Sequence, residues 1–244
     1  LLVGGLYRLA LRGGEHQVIF QNRDDRAFFL EQGWIHPHQA KLILGAGVCP
    51  EKYHCLPEPD LGEKSASSQV TIVLPARFSK DKGVGEFIAA ARALKGRAQF
   101  VLVGDVDQGN PASYAKEEIA SWVDEGIIDC WGWCEDMLDV FARSHVVCLP
   151  SYREGLPRVL VEAASCGRAI VTTDVPGCRE VVDDGKNGLL VPVRDTDALV
   201  KALSCLIENK ALRQRLGAQA REKVLRYLSE ETVVSKTMAL YKRS

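Results

Sequence analysis

A turn separates an apolar run from a helical pattern in the stretch CLPSYREGLPRVLVE, residues 148–162. The apolar run is typical of a buried strand, and the Gly-Leu-Pro that follows is typical of a turn. Proline fits the first position of a helix, where its missing N–H costs nothing, so a helix is predicted to begin at Pro157. Glu154 then lies in the turn, and Glu162 lies about a turn and a half inside the helix.

The same strand–turn–helix unit recurs along the chain from residue 70. Continuous apolar runs that alternate with amphipathic helical patterns are typical of a parallel sheet covered on both faces. The apolar runs lie at residues 70–74, 99–103, 127–130, 146–149, 169–172 and 189–191, and the helical patterns near 83–95, 113–125, 135–144, 157–166, 177–183 and 195–208. This alternation predicts a Rossmann-like, doubly wound α/β domain with its ligand site at the carboxyl ends of the strands. Two further helices are predicted over 210–243.

Bulk properties favour an ordinary globular protein. The 244 residues carry a formal net charge of -1, which gives no overall attraction to nucleic acid. The eight cysteines are scattered, and the zinc-like spacing from Cys130 to Cys134 has no second ligand pair. Reduced thiols in a cytosolic protein are the simpler interpretation.

The segment before residue 70 has a different pattern. It predicts a helix over 1–12, a strand over 16–20, a helix capped by Asn22 with acidic residues in its first turn, and a strand over 41–44. The Pro-rich, charged stretch that follows reads as a linker. The first helix is interpreted as the tail of a longer chain.

Cations follow the first strand of the predicted domain. Arg77 offers a planar fork of donors suited to phosphate oxygens, and Lys82 offers a compact point charge. Gly83 opens the next helix, whose amino end also favours an anion. The alternative is a solvated basic loop.

Two other strand ends carry candidate residues. Trp133 is predicted to wall a nucleobase pocket, whereas Trp131 is better explained by core packing. Asp105 and Asp107 have a spacing that can hold a divalent metal over a diphosphate, but Asp is common in such loops, which favours the simpler reading.

The two carboxylates of the opening stretch suit a ligand with hydroxyl groups. Glu162 is placed to accept hydrogen bonds from two vicinal hydroxyls, such as those of a ribose, and Glu154 would face a more distal group. The alternative for Glu162 is a carboxylate in the first half of a helix, where it favours the helix dipole.

Together these segments resemble glycosyltransferase family 4, whose members are retaining enzymes of the GT-B fold. The resemblance rests on the Glu-x7-Glu pair Glu154 and Glu162, on Arg77 and Lys82-Gly83, and on DVPGCRE at 174–180. Ala76 departs from the glycine that is frequent in the family. The sequence is similar to bacterial members that build lipopolysaccharide or capsule sugars, and it implies the C-terminal half of a GT-B fold.

The resemblance implies a role for each candidate. Glu154, Arg77 and Lys82 would be the catalytic residues, with the two cations stabilising the leaving diphosphate. The donor-binding residues would be Glu162, Gly155, Leu156, Pro157, Arg158, Val159 and Trp133. Neither a metal nor another cofactor is expected.

The resemblance also implies a division of the chain and a set of partners. Residues 1–50 would be the end of an N-terminal acceptor domain, 51–69 a linker, 70–225 the donor-binding domain, and 226–244 a helix that packs back toward the N-terminal domain. The donor would be a nucleotide diphosphate sugar, with uridine as the default, and the acceptor a glycan or lipid-linked glycan held by the missing part. A cytoplasmic location is expected, with peripheral contact of the full-length protein at the inner membrane face, and no nucleic-acid partner.

Three other hypotheses remain open from the sequence. Nucleotide-sugar epimerases and phosphorylases have the same two-domain architecture, although no lysine of this sequence is identifiable as a pyridoxal phosphate ligand. A non-catalytic nucleotide-sugar-binding module is also open, and the fragment alone is expected to be inactive.

Overall fold

The computed structural model describes residues 2–11, 16–61 and 69–241, and it contains two separate parallel sheets. The smaller sheet pairs β1 (Val18–Phe20) with β2 (Ala40–Leu42). Around it lie α1 (Leu2–Leu11) and α2 (Arg23–Glu31). The last residue of the predicted first helix, residue 12, and part of the predicted linker, 62–68, lie outside the described residues.

The larger sheet has six strands, all parallel, in the order β5-β4-β3-β6-β7-β8. The strands are β3 (Val70–Pro75), β4 (Ala98–Val103), β5 (Asp129–Gly132), β6 (Val146–Leu149), β7 (Ala169–Thr173) and β8 (Leu189–Val191). The strand order reverses between β3 and β6, and in open parallel sheets ligands bind in the crevice at such a switch point. The predicted doubly wound α/β fold is confirmed.

Helices cover both faces of this sheet. They are α3 (Val84–Ala93), α4 (Lys116–Asp124), α5 (Met137–Ala142), α6 (Arg158–Ser165), α7 (Pro176–Val181), α8 (Thr196–Glu208), α9 (Lys210–Lys223) and α10 (Glu230–Tyr241), with a short 3₁₀ turn at Lys80–Lys82 and a π-helical turn at Val224–Leu228. No helix among the described residues combines the length and apolar character that a bilayer crossing requires.

The two faces of the sheet have separate apolar cores because successive strand residues point in opposite directions. Ile72 and Leu74 of β3 pack in the core formed with α3 and α8. Val73 packs in the core formed with α5, α6 and α9. Burial on both sides explains why these strands read as continuous apolar runs rather than as alternating ones.

The boundaries of several predicted elements were wrong, including the first strand, which spans Val18–Phe20 rather than 16–20. Strand β5 begins at Asp129 instead of Ile127, because the N–H of Ile127 still bonds to the carbonyl of Trp122 in the turn that ends α4. The second strand lies at Ala40–Leu42 rather than at 41–44. Pro157 is the N-cap of α6, with extended backbone angles, so the first helical residue is Arg158.

Arg168 holds the segment before β3 against the larger sheet. Its guanidinium is 2% exposed and donates to the carbonyls of Leu56, Pro57 and Ser144. These carbonyl bonds offset the cost of burying the cation, while its Nε has no hydrogen-bond partner among the described residues. They also fix the path of the backbone that they hold. The assignment of 51–69 as a linker, like the other domain boundaries, stays a prediction.

His145 links the amino end of β6 to β3 and makes stability depend on pH. Its Nδ1 accepts from the Thr71 N–H at 3.0 Å, and its Nε2 donates to the Pro59 carbonyl at 3.1 Å. Burial lowers the pKa of His145, and nearby Arg213 adds to this against the opposing charge of Glu58.

We therefore expect stability to fall as the pH drops below the ordinary histidine pKa of about 6.5. Below that pH the unfolded chain takes up the proton before the folded one does, which favours unfolding. Urea denaturation near neutral pH and near pH 5 should show the loss, and His145→Gln should lose less over the same interval. An equal loss in both proteins would assign the pH effect to other groups.

Candidate functional site

The loops that follow β3 and β6 meet at the switch point through an ion pair. Nζ of Lys82 lies 2.6 Å from Oε1 of Glu154, and their side chains are 19% and 11% exposed. Two groups that are 72 positions apart in sequence thus form a partly buried pair at the carboxyl edge of the sheet. The structure brings Lys82 and Glu154 together from these two loops, and their roles toward a ligand stay predictions.

Backbone contacts keep the two loops together. The N–H of Tyr152 and the hydroxyl of Ser151 both donate to the Asp81 carbonyl, at 2.8 and 3.1 Å. Gly83 has a positive φ of 74°, and a Cβ at this position would lie 2.1 Å from the Pro150 carbonyl oxygen. Only glycine allows the backbone after Lys82 to approach the end of β6 this closely.

The turn that carries Glu154 is held by α7. The N–H of Gly177 donates to the Glu154 carbonyl at 3.2 Å. A Cβ at Gly177 would lie 2.4 Å from the carbonyl oxygen of Gly155, so this position also requires glycine. In the sequence, Gly177 stands out only as part of the DVPGCRE segment and of a helical pattern.

Arg77 lies on the same edge of the sheet but contacts a different acid. Its guanidinium lies 2.6 Å from Oδ2 of Asp107, and its side chain is 59% exposed. Asn110 donates to the same carboxylate oxygen at 2.9 Å. Among the described contacts Arg77 does not join the Lys82–Glu154 pair, so its role toward a diphosphate stays a prediction.

Trp133 stands at a cavity beyond β4 and β5. This cavity has a volume of about 390 Å³, and its lining includes Phe78, Asp105, Ile119 and Trp133. The Trp133 side chain is 73% exposed, which leaves a face of the indole open to solvent. Trp131 instead packs against the core, as predicted, with the Arg143 guanidinium over its ring at 3.9 Å.

Glu162 lies buried on α6 with partners that the sequence did not indicate. It is 5% exposed and accepts from Nε of Arg158 at 2.8 Å. Burial raises the pKa of Tyr53 to about 12, and the neighbouring charge and hydrogen bond of Glu162 add to this. Glu162 is thus already held by protein groups, and its contact with ribose hydroxyls stays a prediction.

A second polar cluster lies beside the site and was missed. The Tyr152 hydroxyl donates to Glu86 at 2.7 Å, and the Arg194 guanidinium stacks over the Tyr152 ring at 4.5 Å. Arg194 is the one residue other than glycine with a positive φ, 62°, in the described ranges. Tyr152 and Arg194 come from two separate strand–helix connections and Glu86 comes from α3, so no local motif could have grouped them.

The site places the Lys82 cation and the Glu154 carboxylate together, shortly before the amino end of α6. Such groups can bind an anion and orient hydroxyls without contributing a nucleophile of their own. Within residues 2–11, 16–61 and 69–241 no cluster of three or more His, Cys, Asp or Glu residues could hold a metal ion.

Comparisons with known proteins agree with this architecture. Residues 69–209 match the family model for glycosyl transferases group 1. One relative is the N,N'-diacetylbacillosaminyl-diphospho-undecaprenol alpha-1,3-N-acetylgalactosaminyltransferase of Campylobacter jejuni, 29% identical over 248 residues that cover 99% of this chain and 64% of that protein. Another is the putative glycosyltransferase EpsD of Bacillus subtilis, 26% identical over 80% of this chain and 52% of that protein.

Solved structures show the same fold. Anabaena Alr3699/HepE, crystallised in complex with UDP, superimposes with a TM-score of 0.86 at 22% identity over 98% of this chain and 66% of that one. Sucrose-phosphate synthase from Thermosynechococcus elongatus gives a TM-score of 0.83 at 24% identity over 98% of this chain and 61% of that one. The chain has the parallel α/β architecture of GT-B proteins, and it spans less than two thirds of the length of these relatives.

Proposed function

The chain belongs to the glycosyl transferases group 1 family, and we propose that it is the donor-binding part of a retaining glycosyltransferase that uses a UDP-sugar. The observation that carries this proposal is the partly buried Lys82–Glu154 pair at the switch point of the larger sheet. A cation and an acid set side by side suit a donor whose diphosphate is anionic and whose sugar presents hydroxyls.

The proposed reaction breaks the bond between the anomeric carbon and the diphosphate oxygen. The acceptor hydroxyl attacks on the face from which the diphosphate departs, and its proton passes to the leaving oxygen. Lys82, with Arg77, stabilises the negative charge that grows on the diphosphate, and the amino end of α6 adds its dipole. Glu154 orients the sugar together with the N–H groups of Gly155 and Leu156.

Uridine is supported by relatives of the same fold. Alr3699/HepE was solved with UDP and with UDP-glucose. The cavity beside Trp133 would take the base, because an exposed indole can stack on a planar ring. Glu162 would hold the ribose after exchanging its contact with Arg158, whose side chain is 71% exposed and free to turn outward.

A glycan or lipid-linked glycan is the proposed acceptor, as the name of the Campylobacter relative suggests. Bacterial surface polysaccharide synthesis is the proposed setting, at the cytoplasmic face of the membrane. No bound metal is needed in this scheme because Lys82 and Arg77 supply the positive charge at the diphosphate.

Calorimetric titration with UDP and with UDP-glucose tests this proposal. We expect UDP to bind equally well with magnesium and with a chelator present, and CDP and ADP to bind more weakly. A protein that binds none of these nucleotides would contradict the proposed function. A requirement for magnesium would contradict only the metal-independent mechanism.

Glu154→Ala should separate the sugar end of the site from its nucleotide end. We expect affinity for UDP-glucose to fall by a factor of about 10 or more, since a charge-assisted hydrogen bond contributes roughly 1.5–3 kcal/mol. Affinity for UDP should change little because Lys82 remains. Calorimetry on both ligands measures the ratio, and the exposed Glu222 gives a matched control as Glu222→Ala. Equal losses for both ligands would place Glu154 away from the sugar.

A further inference from the structure

The turn formed by residues 154–156 accepts hydrogen bonds from two different parts of the chain. Its first carbonyl, that of Glu154, accepts from the N–H of Gly177 in α7 at 3.2 Å. Its second carbonyl, that of Gly155, accepts from Nδ2 of Asn22 at 2.8 Å. Asn22 belongs to the part of the chain before residue 50, so both segments that flank the crevice fix this turn.

Asn22 has two separate tasks. Its Oδ1 accepts from the Asp25 N–H at 2.7 Å and so caps α2, as the sequence predicted. Its amide nitrogen donates both to Asp25 Oδ2 at 2.8 Å and to Gly155, which lies 133 positions away. Asn22 is 0% exposed, so water does not compete for either bond.

Contacts with α7 fix the position of the amino end of α2, next to Asn22. The N–H of Arg23 donates to Oε1 of Glu180 at 2.7 Å, and Glu180 is 3% exposed. Arg179 joins Asp24 at 2.9 Å. Because Glu180 and Arg179 belong to α7, the helix that holds Glu154 also holds the amino end of α2.

The bond to Gly155 acts on the peptide group that continues into Leu156. The carbonyl of Gly155 and the N–H of Leu156 are parts of the same planar unit, so holding one fixes the direction of the other. A donor on the carbonyl also polarises the unit and strengthens the N–H as a donor. Gly155 by itself would let this peptide rotate freely, since glycine tolerates most backbone angles.

We propose that Asn22 is a positioning residue for the sugar end of the donor site, and that it orients the Gly155–Leu156 peptide from across the crevice. This inference rests on the proposed function, in which that N–H and Glu154 face the donor sugar. Asn22 does not touch the reacting atoms; it acts through the turn.

Two substitutions separate the cap from the positioning bond. Asn22→Ser keeps a good cap for α2 but has no amide to reach Gly155, whereas Asn22→Ala removes both. We expect both variants to bind UDP-glucose about 10-fold more weakly while UDP affinity changes less than about 2-fold. The melting temperature should fall in both variants, because both lose the bond to Gly155, and it should fall further in Asn22→Ala, which also loses the cap.

Hydrogen–deuterium exchange supplies a readout that needs no nucleotide. In Asn22→Ser the amides of residues 154–156 should exchange faster than in the wild type, while those of α2 should not. Unchanged exchange in this segment would overturn the inference even if the wild type binds UDP-glucose. Full recovery of the UDP-glucose to UDP affinity ratio in Asn22→Ser would also overturn it, because Asn22 would then be only a cap. If the wild type binds no nucleotide, the proposed function is wrong, and the positioning role that rests on it is wrong as well.

Discussion

Lys82→Ala is expected to lower the affinity for UDP about 100-fold, which corresponds to roughly 2.7 kcal/mol. The Lys82 side chain is only 19% exposed and points at Glu154. Removing it takes away the partly buried cation that would meet the diphosphate, and it leaves the Glu154 carboxylate unpaired where it would repel that ligand. Calorimetry with UDP measures the loss directly.

Lys80 provides the matched control for this experiment. It lies in the same 3₁₀ turn, two residues earlier, and its side chain is exposed. Lys80→Ala makes the same change in net charge, so a loss that comes from the general field of the protein would appear in both variants. We expect Lys80→Ala to change UDP affinity less than about 3-fold, as for an exposed charge screened by salt.

Arg77→Ala should also weaken UDP binding if Arg77 leaves Asp107 to reach the diphosphate. The Lys82 assignment would be abandoned if Lys82→Ala bound UDP as tightly as the wild type. Unchanged affinity in Arg77→Ala alone would confine the diphosphate contact to Lys82 and leave Arg77 as the partner of Asp107.

Gly83→Ala is expected to have the largest effect on stability, a loss of about 2–5 kcal/mol in the free energy of unfolding. About 1–2 kcal/mol comes from placing a side chain at a positive φ, here 74°. A further 1–3 kcal/mol or so comes from overpacking, because the new Cβ would lie 2.1 Å from the Pro150 carbonyl and one loop must move. Since Lys82 precedes Gly83, the movement should also pull Lys82 from Glu154 and weaken UDP binding.

Gly96→Ala separates the backbone cost of a positive φ from the steric cost at Gly83. Gly96 has a similar φ of 81°, but a Cβ there meets nothing within 4 Å. We expect Gly96→Ala to cost only the backbone term, about 1–2 kcal/mol, with UDP affinity unchanged. Urea denaturation of the two variants gives the difference, and equal losses would show that the contact between Gly83 and Pro150 relaxes at no cost.

The alternation of apolar strands and amphipathic helices was enough to predict the large sheet, because burial on both faces leaves an unmistakable pattern in sequence. It also predicted that Lys82 and Glu154 would lie at one edge, since loops after parallel strands share that edge. Asn22 was recognised as a helix cap because capping is a local property that depends on neighbouring residues.

The hydrogen bond from Asn22 to Gly155 could not be predicted, because it depends on residues far away in the sequence. Its partner, Gly155, is brought near only when two parts of the chain pack together, and a single sequence carries no record of that distance. Gly177 illustrates the same limit: its need for glycine comes from the carbonyl of Gly155 above it, not from its own backbone angles. The carboxyl end of β5 was misplaced because the strand register with β4 shifts after Leu102, an irregularity set by pairing.

Because Arg168 donates hydrogen bonds to the carbonyls of Leu56 and Pro57, this stretch of backbone cannot act as a hinge. Any swing of the first 48 residues against the large sheet would have to bend the chain closer to Val48. There the N–H of Val48 bonds to the Leu228 carbonyl, and the N–H of Glu230 bonds to the Val48 carbonyl. The final helix, α10, would then move together with the amino-terminal part. The backbone would bend at two neighbouring places, one just after Val48 and one near Leu228, instead of along a flexible linker.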